Sequence, residues 1–218
     1  MSTLATEIDE LNAAVRAAAP AQVIATIDAA TRRLVEDGLA ERALGVGQRV
    51  PDFALPDAAG RSVELRRLLG EGPLVVKFYR GAWCPYCNLD LRAWQRHLPE
   101  VAALGARFVA ISPQSADAAL TLAEKHALAF PVLSDRGHGV ARRFGIVYTL
   151  EESLRPVYAA FGVDLPAYNG DSSFELPVPA TYLLDRDGTV AARWLDIDYR
   201  ERVEPADVLA RLRALVEH

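Results

Sequence analysis

Both cysteines of this chain fall in one run, Trp83-Cys84-Pro85-Tyr86-Cys87. Two thiols separated by two residues, directly after an apolar stretch, can pass electrons by cycling between a dithiol and a disulfide. If the apolar residues 74–79 form a strand and a helix begins at Pro85, whose missing N–H suits the first helical turn, Cys84 sits at the N-cap. Free backbone amides and the positive end of the helix dipole favour a thiolate there, lowering its pKa from about 8.5 toward the ~3.5–7.5 range of activated cysteines. Cys84 is therefore expected to be the exposed nucleophile. Cys87 shares a helical face with Leu91, Trp94 and Leu98, so it is expected to turn inward as the resolving thiol.

Other uses of the pair fit less well. Structural zinc takes four ligands, and only His97, His126, His138 and His218 could join the cysteines, without a second CxxC or a His pair at i, i+4. A passive buried pair does not call for Pro85 and Tyr86 between the thiols or Trp83 before them. Arg80, four residues before Cys84, either stabilises a thiolate or a departing oxygen or is a solvated loop cation. Tyr79 and Trp83 either wall the site or pack beside the strand. Asp52, Asp164 and Asp171 have no assignable role.

The elements that must position these residues belong to a chain of 218 residues, 51% of them hydrophobic, enough for one main domain with an appendage. The formal charge is −5, with 24 basic and 29 acidic residues interspersed, so electrostatics gives no reason to expect nucleic acid. The first ten residues lack the basic flank and apolar core of a secretory signal, and no run approaches the ~20 apolar residues of a membrane span. The expectation is a soluble cytoplasmic protein without membrane contact. In that compartment a close thiol pair is catalytic, sensing or metal-binding rather than structural.

Residues 1–44 read as two helices, with stripes at Leu4, Ile8, Leu11 and Val15 and at Val23, Ile27, Leu34 and Leu39, separated by Pro20. These stripes are covered by the main domain, as a helical cap, or by a second subunit, as the arm of a homodimer. From Gly45 the texture changes to short strands and turns, with a turn at Ala59-Gly60. The nearly continuous apolar run at 74–79 then reads as a buried central strand. A helix over 85–104, a strand over 107–111 and a helix over 116–126 alternate after it, which implies a sheet with helices on its faces. Strands at 181–184 and 190–195 around Arg186-Asp187-Gly188 predict a hairpin, and Val208, Leu209, Leu212, Leu215 and Val216 a closing helix. Residues 163–179 read as one long irregular connection.

On the residues 47–56, 78–87 and 178–185, with Asp187-Gly188, the sequence from about residue 45 to 218 resembles the thioredoxin-fold redoxins. More narrowly, it resembles the peroxiredoxin-like branch of the AhpC/TSA group that carries a thioredoxin-type CxxC. The resemblance implies an α/β thioredoxin-like fold, a central mixed β-sheet flanked by helices, here with an N-terminal helical extension. It also implies a cis bond at Pro179 facing the CxxC, with the Val178 backbone as a docking edge for substrate. From the residues alone, Pro179 is equally an ordinary proline at the start of a strand.

The departures from that family are specific. Peroxiredoxins place Pro seven and Thr or Ser three residues before the peroxidatic cysteine; counted from Cys84 these positions are Lys77 and Gly81, and counted from Cys87 they are Arg80 and Cys84. The arginine expected near Thr181 is replaced by Val178-Pro179. The resemblance implies an enzyme that reduces peroxides through a Cys84 sulfenic acid, resolved by Cys87 and recycled by a thioredoxin-type or low-molecular-weight thiol reductant. No metal, flavin or nucleotide cofactor is called for. Two rivals remain: a protein thiol-disulfide reductase using the same pair, and a non-enzymatic redox sensor acting through the helical extension.

Overall fold

A computed structural model describes residues 2–217; His218, one of the four histidines weighed as zinc ligands, lies outside the described residues. The N-terminal stripes fold as α1 (Leu4–Ala18) and α2 (Ala21–Glu36), broken at Pro20, followed by a single turn, α3 (Leu39–Arg42). A hairpin of β1 (Ala54–Pro56) and β2 (Ser62–Glu64) leads through α4 (Leu65–Glu71) into β3 (Leu74–Phe78). Alternation then runs through α5 (Pro85–Ala103), β4 (Arg107–Ser112), α6 (Ala116–Lys125), β5 (Val132–Ser134), α7 (Gly139–Arg143) and β6 (Val147–Thr149). The rest comprises α8 (Arg155–Ala160), α9 (Leu165–Asn169), β7 (Glu175–Pro177), β8 (Ala180–Leu184), β9 (Val190–Leu195) and α10 (Pro205–Val216). Among the described residues no helix is long and apolar enough to cross a membrane.

The main sheet has the order β5-β4-β3-β8-β9, with β3 parallel to β4 and antiparallel to β8. This is the mixed sheet expected, and its central strand is the apolar run before the cysteines. Alternation along β3 sends Leu74, Val76 and Phe78 to one face, where they meet Phe144 and Tyr182, and Val75 and Tyr79 to the other, under α5 and α10. Lys77 shares the second face, the one that carries the cysteines.

The helical extension covers its stripes on its own domain. Leu4 and Ile8 of α1 join the core of Leu91, Trp94, Val208 and Leu212, while Ile27 and Ala30 of α2 pack with Leu150, Leu154, Tyr158 and Leu165. Polar ties hold the seam: Glu204 accepts the N–H groups of Leu4 (3.3 Å) and Ala5 (2.7 Å), and Arg200 pairs with Asp28 at 2.7 Å.

Two expectations are corrected. The 163–179 connection is not irregular throughout: the Asp164 carboxylate caps α9 by accepting the Ala167 N–H, and β7 pairs with β6, a partner too far back in sequence for local patterning to indicate. Nor is the Val178–Pro179 bond cis; among the described residues no peptide bond is. A trans X-Pro bond is favoured by ~0.5–1 kcal/mol, and here β7 continues almost directly into β8, with no reversal that would require the cis form.

Candidate active site

The site grows from the junction of β3 and α5. Gly81 adopts φ +152°, and a Cβ at that position would lie 2.4 Å from the Trp83 indole nitrogen. Glycine therefore occupies the place of the family's hydroxyl residue because Trp83 folds back over it. The turn is fixed by the Gln114 side-chain oxygen, which accepts the Ala82 N–H at 2.6 Å, and by Asn88, whose amide donates to the Ala82 carbonyl at 2.9 Å. Pro85 then opens α5 at its first turn, with Cys84 at the N-cap as the spacing predicts.

Cys84 is not exposed as expected. It is 1% accessible and Cys87 is fully buried; both are free thiols and they hydrogen-bond to each other. Burial pushes the Cys84 thiol well above the usual range, and the bond to Cys87 adds to this. Burial also opposes ionisation of Cys87, but the hydrogen bond from Cys84 and the charges of Arg202 and Arg80 outweigh it and bring that thiol down to about 5. The pair thus shares one proton, and the lowered pKa falls on Cys87 rather than on Cys84. At Cys84, burial and the hydrogen bond to Cys87 outweigh both the helix terminus and the two guanidinium groups.

Arg80 is no solvated cation. It is 1% exposed, with Nη1 3.9 Å from Cys84 Sγ and Nη2 donating to the Tyr158 hydroxyl. Its guanidinium carbon lies 3.9 Å from the ring centre of Tyr199, 4.9 Å from that of Trp83 and 5.6 Å from that of Tyr158. Three aromatic rings replace much of the hydration a buried cation loses. Trp83 walls the site and contacts Tyr158 at 5.5 Å between ring centres, whereas Tyr79 is buried against the sheet. Tyr86 ties α5 to the extension, its hydroxyl donating to Asn12 at 2.8 Å, and its ring meets Tyr199 edge-on.

Beneath Cys87 lies a charged network that sequence reading did not find. Asp90 Oδ2 sits 2.6 Å from Lys77 Nζ and 2.9 Å from Arg202 Nε, all three side chains being 1–2% exposed. Lys77 also donates to the Thr181 hydroxyl at 3.0 Å, and Arg202 Nη2 lies 3.7 Å from Cys87 Sγ. Burial lowers the Lys77 pKa, against the opposing pull of Asp90. The one available signal was Lys77 itself, since a lysine inside a buried strand requires an anionic partner. Val178 and Pro179 do not supply the docking edge: the Val178 N–H is already given to Ile146 at 2.8 Å, and its side chain packs in the opposite core.

Cys84, Arg80 and Trp83 open onto a pocket of about 490 Å³ whose far wall belongs to the helical extension. The arrangement can host a small reactant at one sulfur, place a cation beside it and keep a second sulfur in bonding reach.

The sequence matches the model of the AhpC/TSA family over residues 46–193. It is similar to a chloroplastic peroxiredoxin Q of Triticum aestivum, 29% identical over 172 residues, covering 79% of this chain and 69% of that one. It is also similar to the thiol-disulfide oxidoreductase ResA of Bacillus thuringiensis, 22% identical over 160 residues, 73% of this chain and 75% of the other. Among solved structures, peroxidoxin BcpB of Mycobacterium tuberculosis superposes with a TM-score of 0.63 at 27% identity, covering 79% of this chain and 98% of that one. With its mixed sheet, its paired thiols and these likenesses, the chain belongs to the AhpC/TSA family as a thiol-based oxidoreductase of thioredoxin-like fold.

Proposed function

We propose that the protein reduces peroxides through Cys84 and Cys87. The observation that carries this reading is that Cys84 lies at the floor of the 490 Å³ pocket with a buried guanidinium 3.9 Å from its sulfur. One proton moves across the S–H···S bond so that Cys84 becomes the thiolate as peroxide arrives. Its lone pair attacks the distal peroxide oxygen, an S–O bond forms, the O–O bond breaks, and the departing oxygen takes up the proton that Cys87 had accepted, leaving as water or an alcohol and Cys87 as the thiolate. Arg80 stands where that oxygen gathers negative charge. Cys87 then attacks the sulfenic sulfur, closing the disulfide and releasing water, and a thioredoxin-type or small-thiol reductant returns two electrons. A cytoplasmic setting, where such reductants are at hand, is part of this reading.

The second reading, a protein thiol-disulfide reductase, is favoured by the likeness to ResA. Burial of Cys84 under the extension weighs against it, because a small peroxide enters the pocket while a folded protein must first move the roof.

The test is stopped-flow mixing of the pre-reduced protein with hydrogen peroxide or with an oxidised protein disulfide, following tryptophan fluorescence. Fast peroxide-dependent oxidation is expected, with Cys84→Ser reducing it by roughly 10⁴-fold or more, the scale of losing a nucleophile. Cys87→Ser is expected to stop at a sulfenic acid that dimedone traps. Full peroxide consumption by Cys84→Ser would overturn the mechanism, and slow peroxide reaction beside rapid disulfide exchange would select the reductase.

A further inference from the structure

The pocket over Cys84 is larger and more apolar than hydrogen peroxide requires. Its volume of about 490 Å³ lies within the ~300–1,000 Å³ of sites that enclose whole small molecules. Two of its walls contain no charged group: Val15, Ala18, Pro20 and Ile27 from the α1–α2 elbow, and Tyr158 and Phe161 from α8 and the residue after it. The polar groups converge at the opposite end, where Arg80 and Cys84 Sγ sit together. A molecule that suits this shape has a bulky carbon skeleton and one small polar, reducible end. The elbow lies outside residues 46–193, the region shared with the family, so this wall is an addition of this chain.

We propose that the α1–α2 elbow is a specificity element. It forms an apolar subsite that seats the ring or branched skeleton of an organic hydroperoxide, with the –OOH group at Cys84, so that such peroxides are reduced in preference to hydrogen peroxide. The inference rests on the peroxidase reading above and adds to it the source of substrate choice. Phe161, 54% exposed, extends the apolar lining to the mouth of the pocket. The chemistry is unchanged: the thiolate takes the distal oxygen, the O–O bond breaks, and the skeleton leaves as the alcohol. Each methylene buried is worth about 4-fold in binding, so a phenyl-bearing peroxide gains well over 10-fold from a subsite that hydrogen peroxide cannot use.

The test compares kcat/KM for cumene hydroperoxide and hydrogen peroxide in the full-length protein, together with binding of the unreactive product alcohol, 2-phenylpropan-2-ol, read by tryptophan fluorescence. Two variants probe the elbow: Ala18→Trp, which fills the subsite from an exposed helix position and so spares the core, and Val15→Thr, which keeps the shape and adds a hydroxyl. Ala13→Trp, on the other face of α1, controls for general disturbance of the helix. The expected result is a preference for cumene hydroperoxide of at least about 10-fold, reduced about 10-fold or more by Ala18→Trp and less by Val15→Thr, with alcohol binding weakened in the same order and Ala13→Trp retaining the ratio. A wild-type ratio near one, or one that Ala18→Trp leaves in place, would overturn this inference and leave the peroxidase reading standing. Absence of oxidation by either peroxide would overturn both.

Discussion

Cys84 and Cys87 are one helical turn apart and meet opposite surroundings. Around Cys84 the walls are aromatic and apolar, a single cation is held by three rings, and a pocket reaches the sulfur. Below Cys87 two cations and a carboxylate are packed without exposure to solvent. The difference separates two tasks that an exposed reactive cysteine must combine. Electrostatics makes the thiolate stable where nothing can reach it, and a hydrogen bond links that charge to the sulfur a substrate can reach. In the proposed mechanism, one proton transfer along the bond between these buried thiols places the charge on Cys84.

The largest expected effect lies on the charged side. Asp90→Ala removes the carboxylate that bridges Lys77 and Arg202 and leaves two buried cations without it, which costs about 3–5 kcal/mol of stability. Denaturant unfolding of the reduced variant measures this; a loss under about 1 kcal/mol would mean that water already reaches the network. On the pocket side, Arg80→Met keeps the packing between rings but removes the charge, and peroxide-dependent oxidation of Cys84 is expected to slow by about 10²-fold. Arg80→Lys should restore only part of it, since an ammonium neither stacks on three rings nor bonds Tyr158 in the same plane. If Arg80→Met reacts at the wild-type rate, the cation serves the fold and not the chemistry.

The same contrast explains what could be read from the sequence. The turn from β3 into α5 was legible because local chemistry writes it: a continuous apolar strand, Gly81, Pro85 at the first helical position and apolar spacing from Cys87 to Leu98. Alternation of strands and helices and the hairpin at Gly188 were legible too, whereas the strand order β5-β4-β3-β8-β9 came only with the fold. The ionisation of the pair was not legible, because its cause arrives from afar. Arg202 reaches Cys87 across 115 residues and Tyr158 reaches Arg80 across 78, and nothing in either neighbourhood marks the partner. A helix N-terminus favours a Cys84 thiolate only while that sulfur stays solvated; here burial and the hydrogen bond to Cys87 raise its pKa, and the same bond together with Arg202 and Arg80 lowers that of Cys87. Lys77 was visible as an oddity in an apolar run, and its partner Asp90 was hidden among the ordinary charges of α5.

A titration sharpens the comparison by asking which sulfur carries the charge. With Cys87 lowered to about 5 from an ordinary 9.0, thiolate absorbance of the reduced protein should rise with a first midpoint near 5, lost in Cys87→Ser. Arg202→Leu should move that midpoint upward, because the charge nearest Cys87 is gone while Asp90 keeps Lys77 as partner. Stability follows from linkage. Between these two values the native reduced protein has released a proton that the unfolded chain retains, so stability rises with pH across the window and the gain is lost as pH falls toward 5. Above 9.0 the trend reverses, since Cys84 holds its proton in the fold while the unfolded thiol ionises. The disulfide form should show neither slope. Melting temperatures of reduced and oxidised protein across this range provide the check, and parallel curves would mean that the pair is not ionised in the native state.

The smallest effect tests whether the two surroundings are independent. The segment between β9 and α10 carries Arg202, which faces Cys87, and two residues later Glu204, whose carboxylate caps the first turn of α1 and so fixes the start of the extension that roofs Cys84. Glu204→Ala should cost about 1 kcal/mol, the usual effect of losing a helix cap, visible as a small drop in unfolding midpoint. If the two sides are independent, the thiolate midpoint stays near 5 and only the reaction with bulky peroxides weakens as α1 loosens. If the midpoint moves as well, the segment transmits displacement of the roof to Arg202, and the charge on the buried sulfur depends on whether the pocket above its neighbour is closed.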